Sequence, residues 1–314
     1  MPLDSKSITD GRRILNIWAG GPRRLLLGAA LLGVLGASRP ALAVVPLLDH
    51  IVVIVMENHS YNQVRVQPYT ASLMAAYSYS SASFGITHPS QPNYLALWAG
   101  STLGVTSNTC PAPGSPFTAE NLGHACEVAG VSWKSYNENL PAAGSAVCTV
   151  GSLYTRKHNP WTNFANLTHA NERPFPDLAA DIVANQLPRL AFLVPNNCNN
   201  THDCAVSQGD AWLQTNVPGL LGAVGPRGLV VVTWDEDDNI SGNQILTVFA
   251  GPQVRSGYVS TQTMNHYTLL RTLCDALGVP PFANAVSQVP LMDIWSDTVS
   301  VQPVRWGAVK QLFR

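Results

Sequence analysis

Two small groups of carboxylate and amide side chains stand directly after long apolar runs in this sequence. Glu57 and Asn58 follow one run, and Asp235 and Glu236 follow another. Unbroken runs of β-branched residues predict buried strands, and open α/β sheets bind their ligands beyond the carboxyl ends of such strands. Because carboxylates are costly to desolvate without a compensating cation, the pattern predicts a metal-assisted enzyme.

The predicted ligand set consists only of oxygen donors, from Glu57, Asn58, Asp235 and Glu236. Such a set suits one hard divalent cation, so we expect Mg²⁺, Ca²⁺ or Mn²⁺, with Zn²⁺ as a less favoured ion. Each half of the set has an ordinary alternative, because Glu57-Asn58 could cap a helix and the acidic run at 235–238 could be a solvated turn. Their occurrence at two strand ends favours the metal site.

Ser90 is the candidate nucleophile. Pro92 fits the first turn of a helix, which places Ser90 at or just before a helix N-terminus. Backbone N–H groups and the helix dipole favour anions at that position. A metal that lowers the pKa of the hydroxyl would activate it as a nucleophile, whereas the alternative is that Ser90 only caps the helix.

Polar loops supply histidines that phosphoryl transfer could use. His158 lies in the segment 154–160, and His202 lies beside Asp203. Histidines can stabilise non-bridging phosphoryl oxygens and protonate a leaving alkoxide. The alternative is that both are solvated loop residues, and His266 could be only a polar residue in the first turn of a helix.

The elements that position these residues follow from the hydrophobic pattern. Strands are predicted at about 50–56, 130–136, 189–195, 228–234 and 244–250. Helices are predicted at 176–187 and 265–277, each with an apolar face. This alternation predicts an α/β fold with a mostly parallel sheet sandwiched by helices. We expect one domain over 44–314, with an irregular insertion at about 100–170.

The N-terminal segment 1–43 predicts an export signal. Arg23 and Arg24 precede an apolar stretch that is too short to span a membrane, and the small residues 41–43 fit a cleavage site. The paired arginines could also mark twin-arginine export. The remaining 271 residues carry 12 basic and 17 acidic groups, a net charge of −5, which argues against nucleic-acid binding. We expect a secreted or periplasmic protein without stable membrane insertion.

All six cysteines follow the predicted cleavage site, and an even number in an exported chain predicts disulfides. No Cys-x-x-Cys pair supports a thiolate zinc site. Cys198 and Cys204 are close enough in sequence to bridge the loop that presents His202.

Taken together, the motifs and their order resemble those of the phosphoesterase family of bacterial phospholipases C and acid phosphatases. The likeness extends from about residue 49 to 297 and is strongest to secreted mycobacterial acid phosphatases. It is carried by Glu57-Asn58, His88-Pro89-Ser90, Pro92-Asn93-Tyr94, Lys157-His158-Asn159-Pro160, His202-Asp203, Gly209-Asp210-Ala211-Trp212-Leu213 and Thr233-Trp234-Asp235-Glu236-Asp237-Asp238.

The resemblance implies an alkaline-phosphatase-like core and a role for each matched residue. It implies a Ser90 nucleophile whose oxygen joins the ligands of one metal, namely Glu57, Asn58, Asp235 and Glu236. His158 and His202 would hold the phosphoryl oxygens, with Asp203 orienting His202. His59 and Tyr61 depart from residues common in the family, which implies a different pocket shape.

The resemblance also implies a Cys110–Cys148 disulfide, which leaves Cys126 with Cys274 by elimination. The predicted function is a secreted, metal-dependent acid phosphatase that acts through a phosphoserine intermediate. Its expected substrates are small phosphomonoesters or phosphoinositide headgroups, phosphatidylinositol 3-phosphate among them. Headgroup binding would rely on a local basic patch formed by Arg156, Lys157 and His158.

Two other functions remain open at the level of sequence. A phospholipase C-type phosphodiesterase could use the same core, although a diester needs room for two substituents on phosphorus. A secreted metal-binding protein without catalysis would be expected to lack Ser90 or the Asp235-Glu236 pair, and both are present.

Overall fold

The computed structural model describes residues 44–296, which all belong to one folded unit. The predicted export signal at 1–43 lies outside the described residues. Within the described range, the helices are all too short or too polar to cross a lipid bilayer.

Eleven strands are present in the described residues. They are β1 (His50–Met56), β2 (Ser78–Phe84), β3 (Trp133–Asn137), β4 (Thr149–Val150), β5 (Tyr154–Thr155), β6 (Glu172–Pro174), β7 (Leu190–Val194), β8 (Gly228–Trp234), β9 (Gln244–Ala250), β10 (Val259–Ser260) and β11 (Met264–Asn265).

Seven α-helices occur in the same range, together with short 3₁₀ turns. The helices are α1 (Tyr61–Val64), α2 (Pro68–Ala76), α3 (Ser90–Ala99), α4 (Leu122–Val128), α5 (Pro176–Val183), α6 (Val206–Ala223) and α7 (His266–Leu277). The 3₁₀ turns are Arg156–His158, Pro160–Asn163, His169–Asn171 and Ala283–Ala285.

Nine of the strands form one mixed sheet in the order β10-β2-β9-β8-β1-β7-β3-β6, with β11 also paired to β2. The pairs formed by β8, β1, β7, β3 and β6 are parallel, whereas β9 is antiparallel to both of its neighbours. Strands β4 and β5 form a separate hairpin. The carboxyl ends of β1 and β8 therefore meet at one edge of the sheet.

Strand β1 lies near the centre of the sheet and is buried on both faces. Alternate residues enter opposite cores, with Ile51, Val53 and Val55 on one face and Val52, Ile54 and Met56 on the other. Helices α3, α4 and α7 cover the first face, and α2, α5 and α6 cover the second. Burial on both faces explains why the strand is a continuous apolar run instead of an alternating pattern.

The five predicted strands and the two predicted helices are confirmed. The strands at 50–56, 228–234 and 244–250 have the predicted bounds, and the other elements have shifted ends. The helix predicted at 176–187 ends at Val183, because Asn185 adopts a left-handed backbone with φ of 55°. Strand β2 was not predicted, since its serine-rich sequence lacks an apolar pattern. It is stabilised instead by hydroxyl contacts, such as Ser83 Oγ to Thr247 Oγ1 at 2.9 Å.

Helix α6 was also not predicted, because Gly209 and Pro218 lie inside it. The segment at about 100–170, for which we predicted an irregular insertion, contains α4, the sheet strand β3 and the β4–β5 hairpin. Strand β5 of this hairpin leads directly into the 3₁₀ turn that carries His158.

Two of the three predicted disulfides are present. Cys110 bonds to Cys148, and Cys198 bonds to Cys204. The predicted Cys126–Cys274 disulfide is wrong, because both residues are buried free cysteines on α4 and α7. They pack in one apolar core as small hydrophobic side chains, a common environment for a thiol.

The cysteine arrangement predicts a specific thiol titration. We expect the two free cysteines, Cys126 and Cys274, to react only after denaturation, because burial raises the pKa of Cys126 to about 12 in the folded protein. Titration with an aromatic disulfide, without reductant, counts the reactive thiols in the native and in the denatured protein. A denatured protein with no reactive thiol would show that a third disulfide forms after all.

Candidate active site

The backbone at the ends of β1 and β8 brings the predicted acidic groups together. Met56 pairs with Trp234 in parallel register, so the next residues, Glu57 and Asp235, leave the sheet side by side. Asp235 N donates to Met56 O at 3.1 Å. Asn58 N donates to Asp235 Oδ1 at 3.2 Å, which ties the two strand ends to each other.

The nucleophile candidate is presented by a buried helix. Ser90 begins α3, and every residue of this helix is buried. Asn93 braces the preceding loop, because its Oδ1 accepts from Ile86 N at 2.8 Å and its Nδ2 donates to Thr87 O at 2.7 Å. Asn93 of the motif therefore fixes the turn that delivers Ser90 to the carboxyl edge of the sheet.

Oxygen atoms converge at this edge. Ser90 Oγ lies 3.1 Å from Glu57 Oε2, 3.1 Å from Glu236 Oε1 and 3.4 Å from Asn58 Oδ1. Asn58 Oδ1 also faces Glu57 Oε2 at 2.9 Å and Glu236 Oε1 at 3.2 Å. These acceptor–acceptor contacts are unfavourable unless the amide reverses or a cation lies among the oxygens. We call Glu57, Asn58, Ser90, Asp235 and Glu236 the oxygen cluster.

The charges of the oxygen cluster also indicate a cation. Burial raises the pKa of Asp235 well above its usual range, and the neighbouring charges of Glu57 and Glu236 raise it further. Asp235 Oδ2 is buried without a hydrogen-bond partner. Buried carboxylates in mutual contact are normally protonated or neutralised by a bound cation. The residues present therefore fit a metal ion.

The second oxygen of Glu57 faces a different set of groups. Tyr94 donates its hydroxyl to Glu57 Oε1, and His158 Nε2 lies 3.1 Å from the same oxygen. The Tyr94 and His158 rings stack with centroids 5.3 Å apart. Burial lowers the pKa of His158, although the Glu57 carboxylate opposes this effect.

His202 lies beside His158 in a loop that the Cys198–Cys204 disulfide closes. Their ring centroids are 5.8 Å apart. His202 Nδ1 lies 2.6 Å from Asp203 Oδ1, and His202 Nε2 lies 2.9 Å from Lys157 Nζ. A neutral ring with its proton on Nδ1 satisfies both contacts, because Nε2 then accepts from the ammonium group.

A second candidate metal cluster shares Glu57 with the oxygen cluster. Ligand atoms of Glu57, His158 and His202 lie within 4.8 Å of one another. His158 Nε2 is buried and has no well-directed hydrogen bond. This mixed nitrogen and oxygen set would suit a softer ion such as Zn²⁺ better than the oxygen cluster does.

Two groups of the predicted site have structural roles instead. Arg156 does not contribute to a basic patch, because its buried guanidinium donates to Ala146 O, Thr162 O and Asn163 Oδ1. Asp237 belongs to the acidic run but organises its own loop by accepting backbone N–H groups. These donors are Asn239 N, Ser241 N and Asn243 N.

Three residues that support the oxygen cluster were not assigned a role from the sequence. His88 Nδ1 lies 2.6 Å from Glu236 Oε2, and its Nε2 lies 3.3 Å from Asp237 Oδ1. His266 Nε2 lies 2.6 Å from the carbonyl oxygen of Asp235, and burial lowers the pKa of His266 to about 4. Tyr94 holds Glu57. His88 and Tyr94 fall inside a quoted motif, which was the available signal.

Comparison with known proteins agrees with this geometry. The model of the Phosphoesterase family matches residues 63–280. A phosphatidylinositol-3-phosphatase from Mycobacterium tuberculosis is 39% identical over 290 residues, which cover 87% of this chain and 96% of that protein. The chain belongs to the phosphoesterase family.

More distant matches define the enzyme class and the fold. An acid phosphatase from Aspergillus fumigatus is 29% identical over 215 residues, which cover 63% of this phosphoesterase and 47% of that protein. A solved structure from the alkaline phosphatase superfamily, from Vibrio parahaemolyticus, superposes with a TM-score of 0.57 at 12% identity. The superposition covers 79% of this chain and 72% of the Vibrio chain. The predicted alkaline-phosphatase-like fold and hydrolase class are confirmed.

Removal of the cation should destabilise this phosphoesterase, because the carboxylates of the oxygen cluster would then repel one another. We expect a chelator to lower the melting temperature of the wild-type protein by about 5 °C or more. Asp235→Asn should bind less metal and lose most of this chelator effect. Metal content and melting temperature, measured with and without the chelator, provide the two readouts.

Asp238→Asn is the matched control, because Asp238 is a half-exposed carboxylate in the same acidic run. It should bind metal as the wild type does. His202→Asn separates the two candidate clusters. If His202→Asn abolishes metal binding while Asp235→Asn retains it, the ion belongs to the mixed cluster and our ligand set is contradicted.

Proposed function

We propose that this protein is an exported, metal-dependent phosphomonoesterase that forms a phosphoserine on Ser90. The observation that carries the proposal is the position of Ser90 Oγ, which lies at the N-terminus of α3 and within 3.1 Å of two carboxylates. A serine that only capped the helix would have no need of this acidic surrounding. Membership of the phosphoesterase family supports the same role.

The first step transfers the phosphoryl group to Ser90. In the described arrangement, the Ser90 hydroxyl donates its proton toward Glu57 Oε2 or Glu236 Oε1. Burial raises the pKa of Glu236, which makes this carboxylate a better proton acceptor. Ser90 Oγ then bonds to phosphorus as the ester oxygen leaves. The N-terminus of α3 favours the charge of the bound phosphoryl group.

The oxygen cluster would hold the metal ion through Glu57, Asn58, Ser90, Asp235 and Glu236. A bound divalent cation favours the deprotonated form of a serine hydroxyl and offsets phosphoryl charge. The protein residues around it keep their own tasks. Tyr94 and His88 hold the outer carboxylate oxygens of Glu57 and Glu236, so that their inner oxygens face Ser90.

His202 is the proposed base of the second step, and the leaving ester oxygen takes its proton from solvent water. Its ring is partly exposed, and Asp203 fixes its orientation through the 2.6 Å contact to Nδ1. His158 is buried and contacts Glu57, which suits a role in shaping the phosphoryl site. Water then hydrolyses the phosphoserine, with His202 as the base that takes the water proton.

Phosphatidylinositol 3-phosphate is a candidate natural substrate, because the mycobacterial relative with 39% identity is named for hydrolysing it. Small phosphomonoesters remain the general substrate class. The net charge of −5 over residues 44–314 offers no general attraction to anionic membranes. Since Arg156 is buried, Lys157 is the remaining candidate for local attraction to a lipid headgroup.

The proposal that the protein is exported rests on the segment 1–43 and on the disulfides. The Cys110–Cys148 and Cys198–Cys204 bonds are compatible with an oxidising compartment. The ion is proposed to be Mg²⁺, Ca²⁺ or Mn²⁺, since all donors of the oxygen cluster are oxygens.

Ser90→Ala should remove nearly all turnover. We expect kcat to fall by about a thousandfold or more, because the nucleophile acts as part of a catalytic unit. Ser83→Ala is the control, since it also deletes a buried serine hydroxyl but in the sheet. Mass spectrometry of acid-quenched wild-type enzyme should find the phosphoryl group on the Ser90 peptide. Normal turnover by folded Ser90→Ala would end the phosphoserine mechanism.

A substrate panel separates the monoesterase from a phospholipase C. We expect hydrolysis of an aryl phosphate and of phosphatidylinositol 3-phosphate in mixed vesicles, with little release of phosphocholine from phosphatidylcholine. The monoester preference follows from the dianionic group that the basic side chains could bind. Efficient phosphocholine release with weak monoester cleavage would reverse this assignment, and the Ser90→Ala protein supplies the background rate.

A further inference from the structure

Lys157 reaches the site without a carboxylate partner of its own. Among residues 44–296, no carboxylate oxygen lies within ion-pair distance of Lys157 Nζ, whereas Lys134 Nζ lies 2.6 Å from Asp181. The only polar side-chain contact of Lys157 in that range is His202 Nε2, at 2.9 Å. A half-buried ammonium group with this environment has unused capacity to bind an anion.

The contact with His202 directs the ammonium group toward the site. His202 Nδ1 lies 2.6 Å from Asp203 Oδ1 and is the donor in that contact, so His202 Nε2 can accept a hydrogen bond from Lys157 Nζ. An ammonium group has three donors, and two remain for a ligand. Lys157 also interacts electrostatically with both Glu57 and His158, which places its charge next to the proposed phosphoryl site.

We propose that Lys157 is a substrate-binding residue that recognises the second negative charge of a phosphomonoester and thereby sets the preference for monoesters over diesters. This inference rests on the proposed function. His202 and Asp203 hold the lysine in place, and the free ammonium protons bind a non-bridging phosphoryl oxygen.

The chemistry of the two ester classes makes Lys157 selective. A phosphomonoester carries close to two negative charges near neutral pH, because its second pKa is about 6, whereas a diester carries one. A fixed ammonium group beside the phosphoryl site stabilises the additional charge. Lys157 places its ammonium group beside His202, on the side of Glu57 that faces away from the oxygen cluster.

Steady-state kinetics of the metal-loaded enzyme test this assignment. The substrates are para-nitrophenyl phosphate and methyl para-nitrophenyl phosphate, a monoester and a diester with the same leaving group. For Lys157→Met at pH about 7, we expect kcat/KM to fall by about 100-fold or more for the monoester and by less than about tenfold for the diester. Lys157→Arg should recover part of the monoester preference, since it keeps the charge.

Inhibition provides a second readout that does not require turnover of the diester. Lys157→Met should weaken inhibition by orthophosphate much more than inhibition by dimethyl phosphate, which has one charge. Arg227→Met is the charge control, because Arg227 is an exposed residue before β8 at the opposite edge of the sheet. This variant should leave unchanged the ratio of monoester to diester kcat/KM and the ratio of the two inhibition constants.

The outcomes separate this inference from the proposed function. If the wild-type enzyme hydrolyses no monoester, the proposed function fails and the inference fails with it. If the wild type is active but Lys157→Met lowers monoester and diester activity equally, with equal changes in the two inhibition constants, Lys157 only supports the structure of the site. That result would overturn the selectivity role and leave the phosphomonoesterase intact.

Discussion

The crowding of carboxylates at the carboxyl edge of the sheet is the constraint on which the rest of the site depends. Glu57, Asp235 and Glu236 are all buried there, and like charges in a buried site destabilise one another strongly. Tyr94 and His88 bind the outer carboxylate oxygens of Glu57 and Glu236, which restricts the directions in which these carboxylates can turn. His266 contacts the backbone carbonyl of Asp235. In the proposed site, a cation and the Ser90 oxygen would complete this arrangement.

Glu57 divides the site into two sides. One oxygen faces Ser90 and the oxygen cluster, and the other faces Tyr94 and His158. In the proposed mechanism, Ser90 approaches a phosphoryl group from the acidic side, and the groups that bind the phosphoryl oxygens lie on the basic side. This separation explains how one metal ion could suffice, since side chains provide the remaining positive charge.

The sequence predicted the central strands of the sheet and the acidic residues that meet at its carboxyl edge, because apolar runs with acidic ends are local signals. It did not predict the support of the site, which depends on tertiary contacts. Gly209 is an example, since a Cβ there would lie 2.3 Å from Thr201 Cγ2 beside the His202 loop. Asp210, in the same motif, accepts from Tyr69 N and Thr70 N and caps α2. Neither role is visible from spacing alone.

The central claim is that one cation lies within the oxygen cluster and activates Ser90. Anomalous diffraction from crystals grown with Mn²⁺ tests it most directly, because the ion is located independently of activity. The account predicts one strong anomalous peak in contact with Ser90 Oγ and with oxygens of Glu57 and Glu236. A peak between His158 and His202 instead, or no peak in crystals of active enzyme, would contradict it.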